Sequence, residues 1–430
     1  MSAQDKNADK DTTAAKKTVQ ISRTAWMNDD ATLDVMMALC GGPDDQGGEA
    51  QFVGGCVRDA ILNRATTDID IATVWTPDVV IARLEAAKIK AIPTGLQHGT
   101  ITAVQDGKPF EITTLRRDLE TDGRHAEVAF TDKWREDAAR RDLTMNALYA
   151  TVRGEVTDFF GGLEDAKNGV IRFIGDAETR IQEDYLRILR LYRFYAHYAK
   201  AELGEKERSA VRAHVSNLSS ISVERIQHEF IRLLMSDDAP VTLDMMREDG
   251  VFDVILKGIG DTALLSGLIE LEGVFDGKAA PMRRLAALCQ LDSDVAKDIG
   301  TYLKLSNHDA ELLITLCDGR DHYSDGLSDQ EMRVLIYRHG VDHVRSWVLL
   351  DSAAIGLTRE DIAATYDMVT RTRLPDLPIC GEDVIKKGVK KGPNVGKALA
   401  AVEQWWVESD FEQGRTACLK KLSEVVKDMN

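Results

Sequence analysis

The sequence has no apolar run long enough to cross a bilayer, which argues against a helical membrane protein. Residues 1–25 are polar, of mixed charge, and lack the apolar centre of a signal peptide, so we expect a disordered tail. The six cysteines are scattered and form no CxxC pair, so neither a zinc site nor a disulfide framework is indicated, and we expect a cytoplasmic location in a reducing cytosol. The P-loop pattern GxxxxGK[ST] is also absent, and a P-loop ATPase is therefore not supported.

Positive charge is scarce as well. Lys and Arg number 54 against 71 Asp and Glu, which gives a formal net charge of −17. An acidic protein repels nucleic acid on average, because phosphate binding requires Lys and Arg. Arginines nevertheless crowd between positions 172 and 193, and lysines between 386 and 397. The net charge therefore does not exclude a protein that binds nucleic acid through local basic surfaces.

The pattern of apolar residues changes along the 430-residue chain, which is too long for one compact core. Between positions 52 and 173, strand-like runs (FVGG, TDIDIAT, GTITAV, FEITTL, GVIRFI) alternate with helical patterns, one of which passes through positions 146–148. After position 176 the apolar spacing is almost entirely helical. The pattern predicts an α+β protein: a head with a mixed sheet and helices, followed by an all-α remainder that a proline-rich break near position 375 divides.

The densest motif is GGCVRD, which begins at Gly54 and is followed by Asp68-Ile69-Asp70. Alternate residues of a strand share a face, so Asp68 and Asp70 would lie side by side. Two close carboxylates repel each other unless a cation lies between them, and Mg²⁺ suits a pair of carboxylates together with substrate phosphates. The amides of Gly54 and Gly55 can cradle phosphate, and Arg58 can neutralise it. A DxD alone would more often be an ordinary hairpin with solvated aspartates, and the GGCVRD motif directly upstream favours the metal site.

Two further groups are candidates for the same site. Glu111, on a later predicted strand, is either a third catalytic carboxylate or an ordinary solvent-facing residue. In RRDLTMNA, Arg140 and Arg141 are expected to open a helix with Asn146 one turn later, a group suited to a ribose and a triphosphate. An exposed basic helix start is the alternative.

A predicted helix over residues 183–193 carries a row of charged side chains. Asp184 and Arg187 would share one face of it, and Arg190 and Arg193 continue the row. A carboxylate accepts from the exocyclic amine of cytosine or adenine, and a guanidinium donates to ring nitrogens or carbonyls. Such a pair can select C and A against U and G without a template. The alternative is a surface salt bridge between the two side chains.

Together these motifs resemble the class II polymerase-β-like nucleotidyltransferases, which comprise tRNA CCA-adding enzymes and bacterial poly(A) polymerases. The matches follow the family's order: GGxVRD…DxD at 54–70, RRDxTxNA at 140–147, a glycine-containing stretch at 158–172, EDxxRxxR at 183–190 and SxERxxxE at 222–229. The resemblance implies a nucleotidyltransferase head at 26–175, a neck that recognises bases at 176–245, a body at 246–375 and a tRNA-binding tail at 376–430.

The resemblance also implies roles. Asp68 and Asp70 would hold two Mg²⁺ ions while an RNA 3′-hydroxyl attacks an α-phosphate and pyrophosphate leaves. Gly55, Arg58, Arg141 and Arg190 would contact the triphosphate and ribose, and Asp184 and Arg187 would pair with the base. Residues 122–128 look like the family's flexible loop. The tail lysines, which would take tRNA phosphates, are Lys386, Lys387, Lys390, Lys391 and Lys397.

The expected activity is therefore the addition of CCA to the 3′ end of tRNA from CTP and ATP. A poly(A) polymerase, or an enzyme that adds only C or only A, is the alternative on the same scaffold. A non-catalytic RNA-binding protein is a third reading, against which the intact aspartates argue. The sequence leaves the oligomeric state open.

Overall fold

The chain forms two compact units, Met1–Ile255 and Leu256–Asn430. The computed structural model describes residues 17–22, 24–40, 49–66, 68–118, 128–321, 323 and 326–429. The first unit contains the predicted head and neck together, and its end lies close to the predicted limit of the neck at 245. The predicted divisions at 175 and 375 stay predictions.

A mixed sheet organises the first unit. Its strands are β1 (Lys17–Gln20), β2 (Ala50–Val53), β3 (Asp70–Thr73), β4 (Lys90–Gly95), β5 (Thr100–Gln105), β6 (Lys108–Thr114), β9 (Leu148–Ala150) and β10 (Glu155–Asp158), and a separate hairpin contains β7 (Arg116–Asp118) and β8 (Val128–Phe130). The order across the sheet is β1-β10-β9-β2-β3-β6-β5-β4. Only β3 and β6 pair in parallel, and the other described pairs are antiparallel. The predicted α+β class with a mixed sheet is confirmed.

Helices surround this sheet and then continue alone. They are α1 (Asp30–Cys40), α2 (Gly55–Ile61), α3 (Pro77–Ala86), α4 (Trp134–Ala139), α5 (Gly162–Asn168), α6 (Ala177–Glu183), α7 (Arg187–Tyr198), α8 (Glu205–His214), α9 (Val223–Leu234), α10 (Ala239–Glu248) and α11 (Val251–Val254). Short 3₁₀ turns lie at Trp26–Asn28, Leu96–His98, Thr144–Asn146 and Val215–Ser220. Helix α7 packs against α9. Charged side chains of both helices, among them Arg190 and Arg225, line the same cavity as Asp70 at the start of the central strand β3.

Alternation along the central strands decides which side chains reach the site. Phe52 of β2 and Ile71 of β3 belong to the larger apolar core, together with residues of α1 and α3. Val53 and Ala72, their neighbours along the strands, belong to a smaller core on the opposite face. Because side chains two apart share a face, Asp70 lies on the side of Ala72, away from the larger core.

The second unit is helical throughout its described part. Its helices are α12 (Ala263–Phe275), α13 (Pro281–Leu288), α14 (Ser293–Tyr302), α15 (Asn307–Cys317), α16 (Asp329–His339), α17 (Val341–Ile355), α18 (Arg359–Arg371), α19 (Gly381–Lys386), α20 (Pro393–Glu408) and α21 (Arg415–Asp428), and a 3₁₀ turn lies at Asp318–Asp321. Residues of α19, α20 and α21 share a core that includes Trp406 and Leu422. In the described residues, no helix has the length and apolarity that crossing a bilayer requires.

Three local predictions are wrong. Residues 17–20 form strand β1, paired with β10, because Val19 and Ile21 pack on the larger core, so the predicted tail to position 25 does not hold there. The GVIRFI run makes only an isolated bridge from Phe173 to Leu143, since its apolar residues are buried without a neighbouring strand. The helix expected through 146–148 is instead a 3₁₀ turn followed by β9.

Candidate active site

The predicted site residues line a single cavity of about 560 Å³ in the first unit, which we call the main cavity. Its lining includes Gly54, Gly55, Arg58, Asp68, Asp70, Arg140, Arg141, Asn146, Asp184, Arg187, Arg190 and Arg193. Glu111 is not part of the lining. The fold thus brings every nucleotide-binding residue and both metal ligands predicted from the sequence around one space.

The glycine turn lies between β2 and α2. Gly54 has φ +75° and ψ −124°, a backbone conformation that residues with a Cβ rarely adopt, which explains glycine here. A Cβ on Gly54 would also lie 3.6 Å from Nη1 of Arg141. The turn therefore leaves open backbone beside an arginine, as a phosphate site requires.

Arg58, in the first turn of α2, is held from several sides. Its Nη1 donates to Oδ1 of Asn146 at 2.6 Å, its Nη2 donates to the Tyr198 hydroxyl at 2.6 Å, and its Nε donates to Asp59 at 3.0 Å. The guanidinium carbon also lies 4.1 Å from the centre of the Tyr198 ring. Arg58 thus fixes α2 to α7, and its predicted contact with a triphosphate stays a prediction.

The carboxylates meet at the start of β3. Asp70 is the first residue of the strand and pairs in register with Glu111 of the parallel strand β6. Asp68 precedes the strand, so the expectation that both aspartates lie within it is wrong, although both line the main cavity. Burial, followed by the charges of Glu111 and Asp68, raises the pKa of Asp70 to about 6 against the opposing charge of Arg141.

This crowding of negative charge fits a bound cation. A divalent ion between Asp68 and Asp70 would remove the repulsion that the raised pKa of Asp70 reflects. Among the described residues, no set of three or more His, Cys, Asp or Glu side chains is arranged around one metal position. Two carboxylates with substrate oxygens completing the shell are what a magnesium-type ion accepts, and the nucleotidyltransferases that the sequence motifs resemble generally use a divalent metal.

Arg140 and Arg141 follow the end of α4 and do not open a helix, which corrects the sequence prediction. The buried carboxylate of Asp137 holds both: it accepts from Nη2 of Arg140 at 2.7 Å and from Nη2 of Arg141 at 3.1 Å. It also accepts from the Tyr149 hydroxyl at 2.7 Å. Burial works against the charged carboxylate, but Arg141 and Arg140 outweigh it and lower the pKa of Asp137 to about 2. Asp137 was not among the predicted site residues, although its spacing of three and four residues from the arginines was visible in the sequence.

Replacing Asp137 with Asn should destabilise the first unit by roughly 3 kcal/mol, because two arginines lose a buried counter-charge. Thermal unfolding would then occur roughly 6–12 °C lower. The folded-state pKa of Asp137 lies below its ordinary value of 3.8, so its charge stabilises the fold above about pH 4 and this contribution is lost as the pH falls toward 2. In D137N that part of the acid sensitivity should disappear; equal unfolding curves for both proteins would contradict the role of Asp137.

Asp184 and Arg187, the pair predicted to read the base, depart from their predicted geometry. α6 ends at Glu183 and α7 begins at Arg187, and Asp184 between them is extended, so no continuous helix spans 183–193. Asp184 accepts from the Leu186 amide at 3.1 Å and from Nη2 of Arg225 at 2.7 Å. Arg187 pairs with Glu183 and donates to the Arg180 carbonyl. Asp184 and Arg187 each bind other groups, and the described residues show no salt bridge between the two. The alternative of a surface salt bridge between them is therefore not found.

The remaining arginines of α7 are anchored by carboxylates on neighbouring elements. Nε of Arg190 donates to Asp142 at 2.7 Å, and Nε of Arg193 lies 2.7 Å from Glu229 of α9. Arg225 and Arg232, also on α9, line the main cavity. Arg225 and Glu229 belong to the predicted SxERxxxE element, for which the sequence predicted no role, and Asp142 and Arg232 were not predicted as site residues.

The predicted RNA-binding lysines lie in the second unit. All five are exposed: Lys386, Lys387, Lys390, Lys391 and Lys397. Lys386 ends α19, Lys397 lies in the first turns of α20, and the others lie between the two helices. The predicted flexible loop at 122–128 lies outside the described residues up to position 127.

Comparison with known proteins places these features in a family. Residues 50–172 match the poly A polymerase head domain, and residues 202–261 match the probable RNA and SrmB-binding site of polymerase A. The chain is 35% identical over 381 residues to the mitochondrial CCA tRNA nucleotidyltransferase 1 of Danio rerio, which covers 87% of each protein. It is 32% identical to the CCA-adding enzyme of Lactobacillus delbrueckii subsp. bulgaricus over 88% of this chain and 95% of the relative.

A solved structure agrees with these relatives. The fold superimposes on the Bacillus stearothermophilus CCA-adding enzyme in complex with CTP with a TM-score of 0.71 and 27% identity, covering 93% of this chain and 98% of the other. Matched length, shared identity and shared fold all lead to the same group of proteins. The chain belongs to the family of CCA-adding enzymes, the CCA tRNA nucleotidyltransferases.

Proposed function

We propose that this chain adds the nucleotides C, C and A to the 3′ end of tRNA from CTP and ATP. One observation carries the proposal: the main cavity combines a carboxylate pair, Asp68 and Asp70, with a second polar pair, Asp184 and Arg187. The first pair suits phosphoryl chemistry and the second suits base readout. An enzyme that selects its nucleotide without a template needs both around one bound nucleotide.

The reaction is an in-line displacement. The 3′-hydroxyl of the RNA attacks the α-phosphorus of the bound nucleotide, the bond to the β-phosphate oxygen breaks, and pyrophosphate leaves. Asp68 and Asp70 would hold Mg²⁺, which supplies Lewis-acid stabilisation of the phosphate charge. Because burial and Glu111 disfavour charge on Asp70, the two aspartates are suited to sharing a cation. Glu111, one strand away and in register with Asp70, would support this pair as the third carboxylate.

Two arginines and one amide side chain, on three sides of the cavity, would receive the triphosphate and ribose. Arg141 lies beside the glycine turn, Asn146 is fixed by Arg58, and Arg190 approaches from α7. Carboxylates behind these groups, such as Asp137 and Asp142, set their positions before a nucleotide arrives. A preset arrangement lowers the cost of ordering charged side chains around the phosphates.

Base selection would depend on the break between α6 and α7. Nη2 of Arg225 and the Leu186 amide occupy one direction at each oxygen of Asp184, and each oxygen keeps a further lone pair for an exocyclic amine. Arg187 is oriented by Glu183 and the Arg180 carbonyl. A fixed acceptor beside a fixed donor accepts the edges of C and A, whereas U offers no amine to Asp184.

The exposed lysines around α19 and α20 would take tRNA phosphates. Replacing Lys386, Lys387, Lys390 and Lys391 together by Ala should raise KM for tRNA about tenfold or more, because each lost phosphate contact weakens RNA binding. Each lost contact should also reduce the slope of log K against log salt concentration by about 0.9. KM for CTP should stay within about twofold. The control is K420A/K427A, which removes charge from α21; an equal rise in KM for tRNA in the control would mean that general charge, not this surface, is responsible.

The test of the proposed function is incorporation by the purified chain with Mg²⁺. It should extend a tRNA transcript that lacks CCA by three nucleotides, and it should not elongate an unstructured RNA with ATP. Long A tails would make it a poly(A) polymerase, and incorporation of C alone or A alone would make it part of a divided pathway. All six cysteines are free thiols, which supports our assignment of the chain to the reducing cytoplasm.

A further inference from the structure

A second cavity, of about 310 Å³, adjoins the main cavity on the side of α7 and α9, and we call it the side cavity. It shares Arg58, Asp68, Arg193, Phe194 and Arg232 with the main cavity. Its own lining adds His197, Tyr198 and Met235. The shared residue Asp68 places the side cavity next to the proposed reaction centre.

Arg232 differs from the other arginines of the main cavity. Arg58, Arg187, Arg190, Arg193 and Arg225 each pair with a carboxylate, as do Arg140 and Arg141. Within the part of the chain that the structure describes, the guanidinium of Arg232 forms no ion pair and donates no hydrogen bond. Its side chain is exposed, and it lines both cavities.

Arg232 also has like-charged neighbours. Burial lowers the pKa of Arg193 to about 10, Glu229 opposes that shift, and the charges of Arg190 and Arg232 add to it. Two guanidinium groups that repel each other beside an open cavity are suited to an anion between them. Met235, 39% exposed, adds an apolar surface to the same cavity. A nucleotide would suit both surfaces, with its phosphate at the guanidinium groups and its base on the apolar surface of Met235.

The position of the side cavity indicates whether its phosphate would belong to the incoming nucleotide or to the RNA. The side cavity shares no residue with the glycine turn of Gly54 and Gly55, or with the base-reading pair of Asp184 and Arg187. Those groups define the place of the incoming nucleotide. The attacking RNA must reach Asp68 from a direction that the nucleotide does not occupy, and the side cavity opens there. Its volume lies near the lower end of about 300–1,000 Å³ for ligand sites, enough for one nucleotide unit.

We propose that the side cavity binds the 3′-terminal nucleotide of the RNA acceptor, that Arg232 takes its phosphodiester, and that the base packs towards His197 and Met235. This inference rests on the proposed function and states where the second substrate, the RNA acceptor, binds. Arg232 is a positioning residue here, because it holds the RNA end and not the reacting atoms.

The test compares R232A with the parent enzyme on an acceptor-stem RNA that ends in C. We expect KM for the RNA to rise about tenfold, equivalent to about 1.4 kcal/mol, with KM for CTP within about twofold. K206A, which removes an exposed charge from α8 outside both cavities, is the matched control and should change neither value. A rise in KM for CTP alone would assign Arg232 to the triphosphate and overturn the proposal, as would no change in either KM.

A modified RNA locates the contact. Replacing the terminal phosphodiester by an uncharged methylphosphonate should weaken binding to the parent about tenfold and add no further loss in R232A, since the two changes remove the same contact. Additive losses would overturn the assignment. Binding measured by fluorescence anisotropy without nucleotide keeps this test separate from the proposed function: a chain that binds the RNA end through Arg232 but incorporates nothing would refute only the catalytic proposal.

Discussion

Asp70→Asn and Asp68→Ala should each lower nucleotide incorporation by about a thousandfold or more, about 4 kcal/mol of transition-state stabilisation. The reason is the charge of the pair. Asp70 starts a central strand and its carboxylate is crowded by Glu111 and Asp68. Either change leaves the cation with one carboxylate where two are required. Single-turnover incorporation of labelled CTP into a tRNA transcript measures the effect.

The fold should survive these changes, because both aspartates line a cavity and neither belongs to the apolar cores. Removing a buried charge that is already disfavoured should leave D70N as stable as the parent in the absence of metal, or more so. D132N, which alters an exposed carboxylate outside the main cavity, should retain full activity. Substantial incorporation by D70N with a normal melting curve would remove the metal-site assignment.

Arg187→Ala should reduce the preference for CTP over UTP by about 10- to 100-fold, because one bidentate base contact is worth about 1–3 kcal/mol of discrimination. The loss should appear in the ratio of kcat/KM for CTP to that for UTP. Asp184→Ala should act in the same direction, since the exocyclic amine loses its acceptor. Metal dependence should stay that of the parent, because neither residue contacts Asp68 or Asp70 in the described structure.

Arg225→Ala provides the sharper comparison. It keeps both side chains that we propose read the base, Asp184 and Arg187, and removes only the guanidinium that donates to Asp184 from α9. Selectivity should fall, but less than in R187A, because the Leu186 amide still holds one carboxylate oxygen. The surface variant K206A should leave the ratio unchanged. If R187A and R225A both discriminate as well as the parent, base readout takes place elsewhere.

The features of the site that could be predicted from the sequence are those set by residues close together in the chain. The Asp68 and Asp70 pair and the glycine turn were recognisable because their geometry is local: the aspartates lie two residues apart at the start of one strand, and the turn needs a backbone angle that only glycine adopts readily. The register of Asp70 with Glu111 depends on a parallel pairing across some forty residues, which no local pattern specifies. The cavity itself depends on α9 packing against α7, and the sequence placed no α9 residue in the site.

The errors have the same origin. Residues 183–193 have helical apolar spacing, and that spacing gives no sign of the break at Asp184. The break depends on Arg225 and the Leu186 amide, which donate to the Asp184 carboxylate outside a helix. Arg140 and Arg141 were expected to start a helix, but the buried carboxylate of Asp137 draws them back onto the end of α4. An ion pair determines the backbone in both places: at Asp184 it comes from the distant helix α9, and at Arg140 and Arg141 it is local, three and four residues along the chain. Apolar periodicity contains neither.

The most direct test of the central claim uses three tRNA transcripts, ending at the position before CCA, at C and at CC, with CTP and ATP supplied separately and together. The account predicts that CTP alone adds two nucleotides to the first and one to the second, that ATP alone extends only the third, and that all three stop at CCA. D70N should abolish every addition. Uncontrolled A addition, or a single accepted nucleotide, would contradict a site that selects both C and A.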